Sequence, residues 1–162
     1  MTEVVILLGS NINPAENIRR GAIELCKQIP VLRSSSVWLT PAIGASGPDF
    51  YNAAVLCETD QTADYLKFNL LRPIEEKLGR VRTSNKYAPR TLDLDVIMSG
   101  SSVLEPRLWE TAFILLPVSE LIPDFSHPTT GESLSVLAKK MAPGSGAIRI
   151  ENFPLYLENE PD

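Results

Sequence analysis

The chain has 162 residues, 44% of them hydrophobic and 22% charged, with a formal net charge of −5 and a pI near 5.0. No apolar run approaches the roughly 20 residues of a membrane span, and the acidic balance argues against a general nucleic-acid binder, which carries a broad basic surface. Two cysteines, Cys26 and Cys57, with no local spacing motif supply neither a zinc site nor a disulfide framework, and both read as buried thiols. The start, Met-Thr-Glu-Val-Val, lacks the basic segment of a signal peptide, so a cytoplasmic location is expected. No repeat or linker divides the sequence, so residues 1–162 read as a single domain.

Residues 4–8 form a short apolar run that stops at Gly9-Ser10-Asn11, the pattern of a buried strand entering a turn. Asn13 then offers a helix cap, with Pro14 at the first position and Glu16 completing a capping box. That helix is expected to bury Ile18, Ala22, Leu25, Cys26 and Ile29 along one stripe. Residues 31–39 read as a second strand, closed by Thr40-Pro41, and residues 42–48 as a loop long enough to move. Residues 50–58 read as a third strand, with Asn52, Ala54 and Leu56 on one face.

A second helix is expected over 62–78, with Leu66, Leu70, Ile74 and Leu78 every fourth residue, Gly79 as its stop and Pro73 bending or breaking it. A basic loop follows, then a strand over 91–98. This order is strand, helix, strand, strand, helix, strand, which predicts an α+β fold with a ferredoxin-like βαββαβ core. Its sheet would be mostly antiparallel with the helices on one face. Extra C-terminal elements follow: an apolar segment at 113–116, a short helix at 134–141 and a strand-like tail at 147–157 interrupted by Pro154. His127, the one histidine, falls in a turn-rich stretch and reads as a loop residue rather than a general base.

The segment Lys86-Tyr-Ala-Pro-Arg-Thr-Leu-Asp-Leu-Asp-Val-Ile97 carries the sharpest chemical signal. On a strand, Asp93, Asp95 and Ile97 point to one face, and Leu92, Leu94, Val96 and Met98 to the other. Residues two apart lie roughly 6.6 Å apart along a strand, close enough for two carboxylates to converge on metal ions about 3.5–4 Å apart. Oxygen ligands of this kind suit Mg²⁺, which takes its remaining ligands from phosphate and water. Arg80, Arg82, Lys86 and Arg90 place four positive charges and no acid between 80 and 90, a local cluster that fits a small polyanion. The plainer reading of the aspartate pair is a solvated strand face whose arginines are ion-pair partners.

Four segments in this order resemble the 6-hydroxymethyl-7,8-dihydropterin pyrophosphokinase family: Leu8-Gly-Ser-Asn11, Pro48-Asp-Phe-Tyr-Asn-Ala-Ala-Val55, Gly79-Arg-Val-Arg82, and residues 86–97. The resemblance implies transfer of the terminal two phosphates of ATP to the pterin hydroxymethyl group in folate biosynthesis, with two Mg²⁺ ions. It implies that Asp93 and Asp95 hold the metals, with Asp93 also near the reacting hydroxyl. Arg80 and Arg90 match catalytic arginines that bind the polyphosphate, Arg82 matches a mobile one, and Glu75 and the backbone at Val96 would lie by the nucleotide. For the pterin, it implies contacts from Thr40, Ile43, Asn52, Tyr87, Asp93 and Phe113. The expected partners are ATP and a reduced pterin, with no nucleic acid and no membrane, and the protein is expected to be a monomer.

The sequence departs from the family at specific positions. Glu105 stands at the usual histidine, Thr111 at the usual arginine, Thr83 at a frequent lysine and Tyr87 at a frequent tryptophan. A lost charged phosphate contact costs about 1.5–3 kcal/mol, and a carboxylate facing phosphate is worse than neutral. Two other readings therefore accompany the first: a related transferase with a changed acceptor or nucleotide, and a pterin-binding protein without transfer.

Overall fold

The structure, a computed structural model, describes residues 1–42, 47–81, 83–84 and 89–155. β1 (Thr2–Ser10) leads into α1 (Pro14–Gln28), then β2 (Val31–Ser34), β3 (Trp38–Thr40) and β4 (Phe50–Thr59). A helical stretch follows as α2 (Ala63–Leu66), a π-helical turn (Lys67–Leu71) and α3 (Arg72–Lys77). β5 (Asp93–Ser99) and β6 (Ser102–Val103) precede a 3₁₀ turn (Pro106–Trp109), α4 (Ala112–Leu121), α5 (Leu134–Met141) and β7 (Ile148–Arg149). The sheet runs β6-β5-β1-β4-β3-β7, with β2 also on β4, and every pairing is antiparallel. Its centre, with β1 between β5 and β4, is the strand order of a ferredoxin-like sheet.

Side-chain alternation divides the strands between two apolar layers. Val4, Ile6 and Leu8 of β1 join Ala53, Val55 and Cys57 of β4 beneath α1, α2 and α3. Val5, Leu7, Ala54 and Leu56 face α4, α5 and the 3₁₀ turn instead. The two core helical stretches thus share one face as expected, and the C-terminal elements cover the other.

Several local expectations give way to physical detail. Asn13 is the α1 cap but its backbone is left-handed, with φ 41°, and its side chain makes no capping bond. Asn17 reaches back instead, donating to the Ile12 carbonyl at 2.6 Å. Cys26 is exposed rather than buried, because it lies off the α1 stripe of Ile18, Ala22 and Leu25; Cys57 is buried and its thiol is pushed up to about 12, chiefly by desolvation. The strand expected over 31–39 is two, because Ser35 turns its side chain inward to accept from the Ala54 N–H at 2.9 Å.

Pro73 has no N–H, and the helix meets this with the π turn, in which Arg72 N–H bonds the Lys67 carbonyl five residues back. Leu70 is only partly buried. The segment at 113–116 is helical rather than merely apolar, and the tail contributes only two residues to the sheet before Pro154. In β5 the register slips opposite Val5/Ile6, so Val5 pairs Met98 and Ile6 pairs Val96. That bulge turns Met98 to the same layer as Ile97, not to the face of Leu92 and Leu94.

Candidate active site

At one end of the second face the apolar lining stops. Beyond Leu7 and Ala54, the next positions of the same parity are Gly9 on β1, Asn52 on β4 and Asp93 on β5, which lie on one rung because Gly9 pairs with both Asn52 and Asp93. Asp95 sits one rung inward, opposite Leu7. Adjacent strands are about 4.8 Å apart, so Asn52 and Asp93 are separated by roughly 10 Å across Gly9.

Asp93 is held from two sides. Arg80, just past the end of α3, donates through Nη1 to Asp93 Oδ1 at 2.5 Å, and Arg90 Nη1 donates to Asp93 Oδ2 at 2.7 Å. The same Arg80 nitrogen lies 2.6 Å from Glu75 Oε2, which also accepts the Leu94 N–H at 2.9 Å. Glu75 is only 2% exposed. Its carboxylate therefore fills an open backbone position of β5 while orienting Arg80. Burial works against the Arg80 charge, but Asp93 and Glu75 more than offset it, so the guanidinium is held protonated more firmly than usual. Arg90 is fixed by Asn11, whose Oδ1 accepts the Arg90 N–H at 2.6 Å and whose own N–H bonds the Arg90 carbonyl at 3.1 Å.

Asp95 has the opposite character. Its carboxyl is pushed up to about 6, first by burial and then by the negative charges of Asp93, Glu75 and Glu105, against Arg80. A carboxylate crowded by acids, with its outer edge open to solvent, is poised to gain from a cation. The donor set suits Mg²⁺: two hard oxygen groups on one strand face, with no group of three or more potential ligands among the described residues that would enclose a metal. Asp93 and Asp95 would hold it.

Asn52 and Thr40 form a buried polar corner at the other end of this rung. Both are buried, and Asn52 Nδ2 donates to Thr40 Oγ1 at 2.6 Å. The amide oxygen leans over Gly9, where a Cβ would come within 2.9 Å of it. Phe113, in the first turn of α4, is partly buried against the second layer. Val96 turns its side chain to the first layer. Ile43, Arg82 and Tyr87, along with Lys86, lie outside the described residues.

Two contributors were not singled out by sequence reasoning. Asn11 anchors Arg90, and Gly9 leaves space for Asn52; Gly9-Ser10-Asn11 reads in the sequence as a turn ending the strand, but β1 runs through Ser10, and the composition carried no role for either residue.

The fold and this corner define a ferredoxin-like α+β protein that sets two aspartates and two arginines beside a buried amide. The chain belongs to the 7,8-dihydro-6-hydroxymethylpterin-pyrophosphokinase (HPPK) family, whose model matches residues 5–123. It is 35% identical over 148 residues to the 2-amino-4-hydroxy-6-hydroxymethyldihydropteridine pyrophosphokinase of a Synechocystis species, covering 85% of this chain and 75% of that one. The protein of the same name from Methylorubrum extorquens is 35% identical over 163 residues, covering 93% of this chain and 100% of the relative. A folic acid synthesis protein of Pneumocystis carinii is 34% identical, but the chain spans only 20% of its length. Among solved structures, wild-type HPPK-DHPS of Plasmodium falciparum with pteroate superposes with a TM-score of 0.69 at 13% identity, over 92% of this chain and 46% of that one. At that identity the likeness speaks for the fold.

Proposed function

We propose that this chain transfers the terminal diphosphate of ATP to 6-hydroxymethyl-7,8-dihydropterin, releasing AMP, as the family's name describes. The observation that carries the reading is the rung Asn52–Gly9–Asp93, which sets a buried amide roughly 10 Å from a doubly arginine-bound carboxylate, across a residue with no side chain. That span suits a bicyclic pterin with its hydroxymethyl arm aimed at the aspartates. Asn52 and Thr40 would orient the ring, and Phe113 would border it.

In this reading the hydroxymethyl oxygen attacks the β-phosphorus, the bond from that phosphorus to the oxygen bridging the α-phosphate breaks, and AMP leaves with that oxygen. The hydroxyl proton passes to solvent water at the Asp93 side of the site as the new P–O bond forms. Arg80 and Arg90 would be catalytic in that they take up charge on the polyphosphate; Arg82, Glu75 and the Val96 backbone would serve the nucleotide. Two Mg²⁺ ions at Asp93 and Asp95 would neutralise the polyphosphate and fix its geometry. Glu75 positions Arg80, and Asn11 positions Arg90. Residues 1–162 would act as one such domain, a monomer in the cytoplasm, with Ile43 and Tyr87 completing the pterin contacts.

A second reading, transfer with a changed nucleotide, is favoured by the Glu105 charge near Asp95. Incubation with ATP, Mg²⁺ and the pterin should give pterin-dependent AMP. Asp95→Ala should lower it by about a hundred- to a thousandfold, since metal stabilisation of the transition state is worth several kcal/mol. AMP formation that ignores the pterin, or pterin-dependent release of a nucleoside monophosphate only from a triphosphate other than ATP, would sink the first reading.

A further inference from the structure

The rim between the aspartates and Phe113 carries a charge pair that the proposed reaction leaves unused. After β6 the chain folds back, with the Leu104 N–H on the Ile97 carbonyl at 2.8 Å and the Glu105 N–H on the same oxygen at 3.3 Å. This brings Glu105 beside the β5 strand that carries Asp95, and its charge is one of those raising the Asp95 carboxyl. Left alone, a further carboxylate here would repel an incoming polyphosphate.

It is not left alone. Arg107, on the 3₁₀ turn, donates its Nε to Glu105 Oε1, and its Cζ lies 5.8 Å from the centre of the Phe113 ring. An exposed ion pair contributes little to stability by itself, so stability is a weak reason for this arrangement. Its geometry is more informative. Engaging Glu105 through Nε leaves the two Nη groups, the forked end that matches phosphate oxygens, without a partner among the described residues. The Arg107 side chain is 62% exposed against 22% for Glu105, so the acid is covered and the cation faces out. Thr111, which opens α4 on the same rim, has no charge and makes no side-chain cap.

We propose that Arg107, oriented by Glu105 and the Phe113 ring, binds the two phosphates that are transferred, and that Glu105 is its positioning residue. This rests on the reading of the site as an ATP site, and it concerns the β- and γ-phosphates rather than the nucleoside. Arg80 and Arg90 already answer Asp93, and the pair delivers one further cation on the side where Asp95 and Glu105 would otherwise present two unanswered acids. Arg107 would stay with the diphosphate once it is on the pterin.

The test is direct binding of Mg²⁺ with α,β-methylene-ATP, which cannot be cleaved at the reacting bond, measured by calorimetry, with AMP binding measured by competition. Arg107→Ala should weaken the analogue about tenfold or more, the loss of one charge-assisted contact, and leave AMP within about twofold. Lys27→Ala, a surface cation at the far end of α1, should change neither. Adding Glu105→Gln to Arg107→Ala should recover part of the loss, because the unpaired carboxylate is then gone; a misfolded variant would not recover. In turnover, Arg107→Ala should raise KM for ATP with kcat held within about threefold, and Arg107→Lys should fall between it and wild type. Equal weakening of AMP and the analogue, no change in either, or a double variant worse than Arg107→Ala would overturn the proposal. Wild-type protein that binds the analogue but releases no pterin-dependent AMP would defeat the functional reading and leave this one standing.

Discussion

The two faces of the sheet are built from the same strands yet behave as different materials. On the first face the even-numbered residues of β1, Val4, Ile6 and Leu8, and the odd-numbered residues of β4, Ala53, Val55 and Cys57, meet α1, α2 and α3 in an apolar layer closed over its length. On the second, Val5, Leu7, Ala54 and Leu56 are just as apolar, but the lining ends at Gly9, Asn52 and Asp93. At this end of the strands parity therefore separates core from site, with Leu8 packed in the first layer and its neighbour Gly9 on the rung of Asn52 and Asp93.

The strongest way to break this comparison is a pair of substitutions three residues apart on β1. Ile6 is 0% exposed, and Ile6→Ala should destabilise the fold by about 2–5 kcal/mol through lost burial and the cavity left behind. Activity per folded molecule should be preserved, as read by urea unfolding beside turnover. Gly9→Ala should do the reverse. Its new Cβ meets the end of the Asn52 side chain at 2.9 Å, which can turn away, but only by giving up the bond to Thr40. Stability should change by about 1 kcal/mol, that of one hydrogen bond, while pterin affinity falls about tenfold. If Gly9→Ala unfolded the protein as severely as Ile6→Ala, or left pterin binding intact, the division by parity would fail.

The same division explains what could be read from the sequence. The first face was legible because its signal is periodic: Ile18, Ala22 and Leu25 lie on α1 where their spacing puts them, and the apolar run of residues 4–8 is a buried strand as expected. The aspartate pair was legible because two carboxylates in alternation beside four basic residues form a chemical pattern. What escaped was decided by single backbone events. The bulge that turns Met98, the inward side chain of Ser35 and the left-handed Asn13 each depend on contacts with chain far away or on one torsion angle, and periodicity carries neither. Asn11 escaped because its role is a bond to a residue 79 positions along the chain.

The finest test separates the two aspartates of the second face. Asp93 already has both carboxylate oxygens on arginines, whereas the Asp95 carboxyl is pushed up to about 6, led by burial and then by neighbouring acids. In an unfolded chain an aspartate titrates near ~3.9, so between that value and about 6 the folded protein holds the Asp95 proton that the unfolded chain has lost. The stability from this group is complete below the unfolded value and is lost as pH rises through the folded one. Without metal, Asp95→Asn should then be more stable than wild type at pH 7.5 and closer to it at pH 4.5. Because the carboxyl meets solvent at its outer edge, screening keeps the gain under about 1 kcal/mol. Millimolar Mg²⁺ should reverse the order by stabilising wild type, which gains the binding free energy, more than the variant. Thermal unfolding at both pH values, with and without Mg²⁺, reads all four conditions. A variant that tracks wild type in every one would mean that the crowding of Asp95 by Asp93, Glu75 and Glu105 is relieved by water alone, and that its carboxylate is not waiting for a cation.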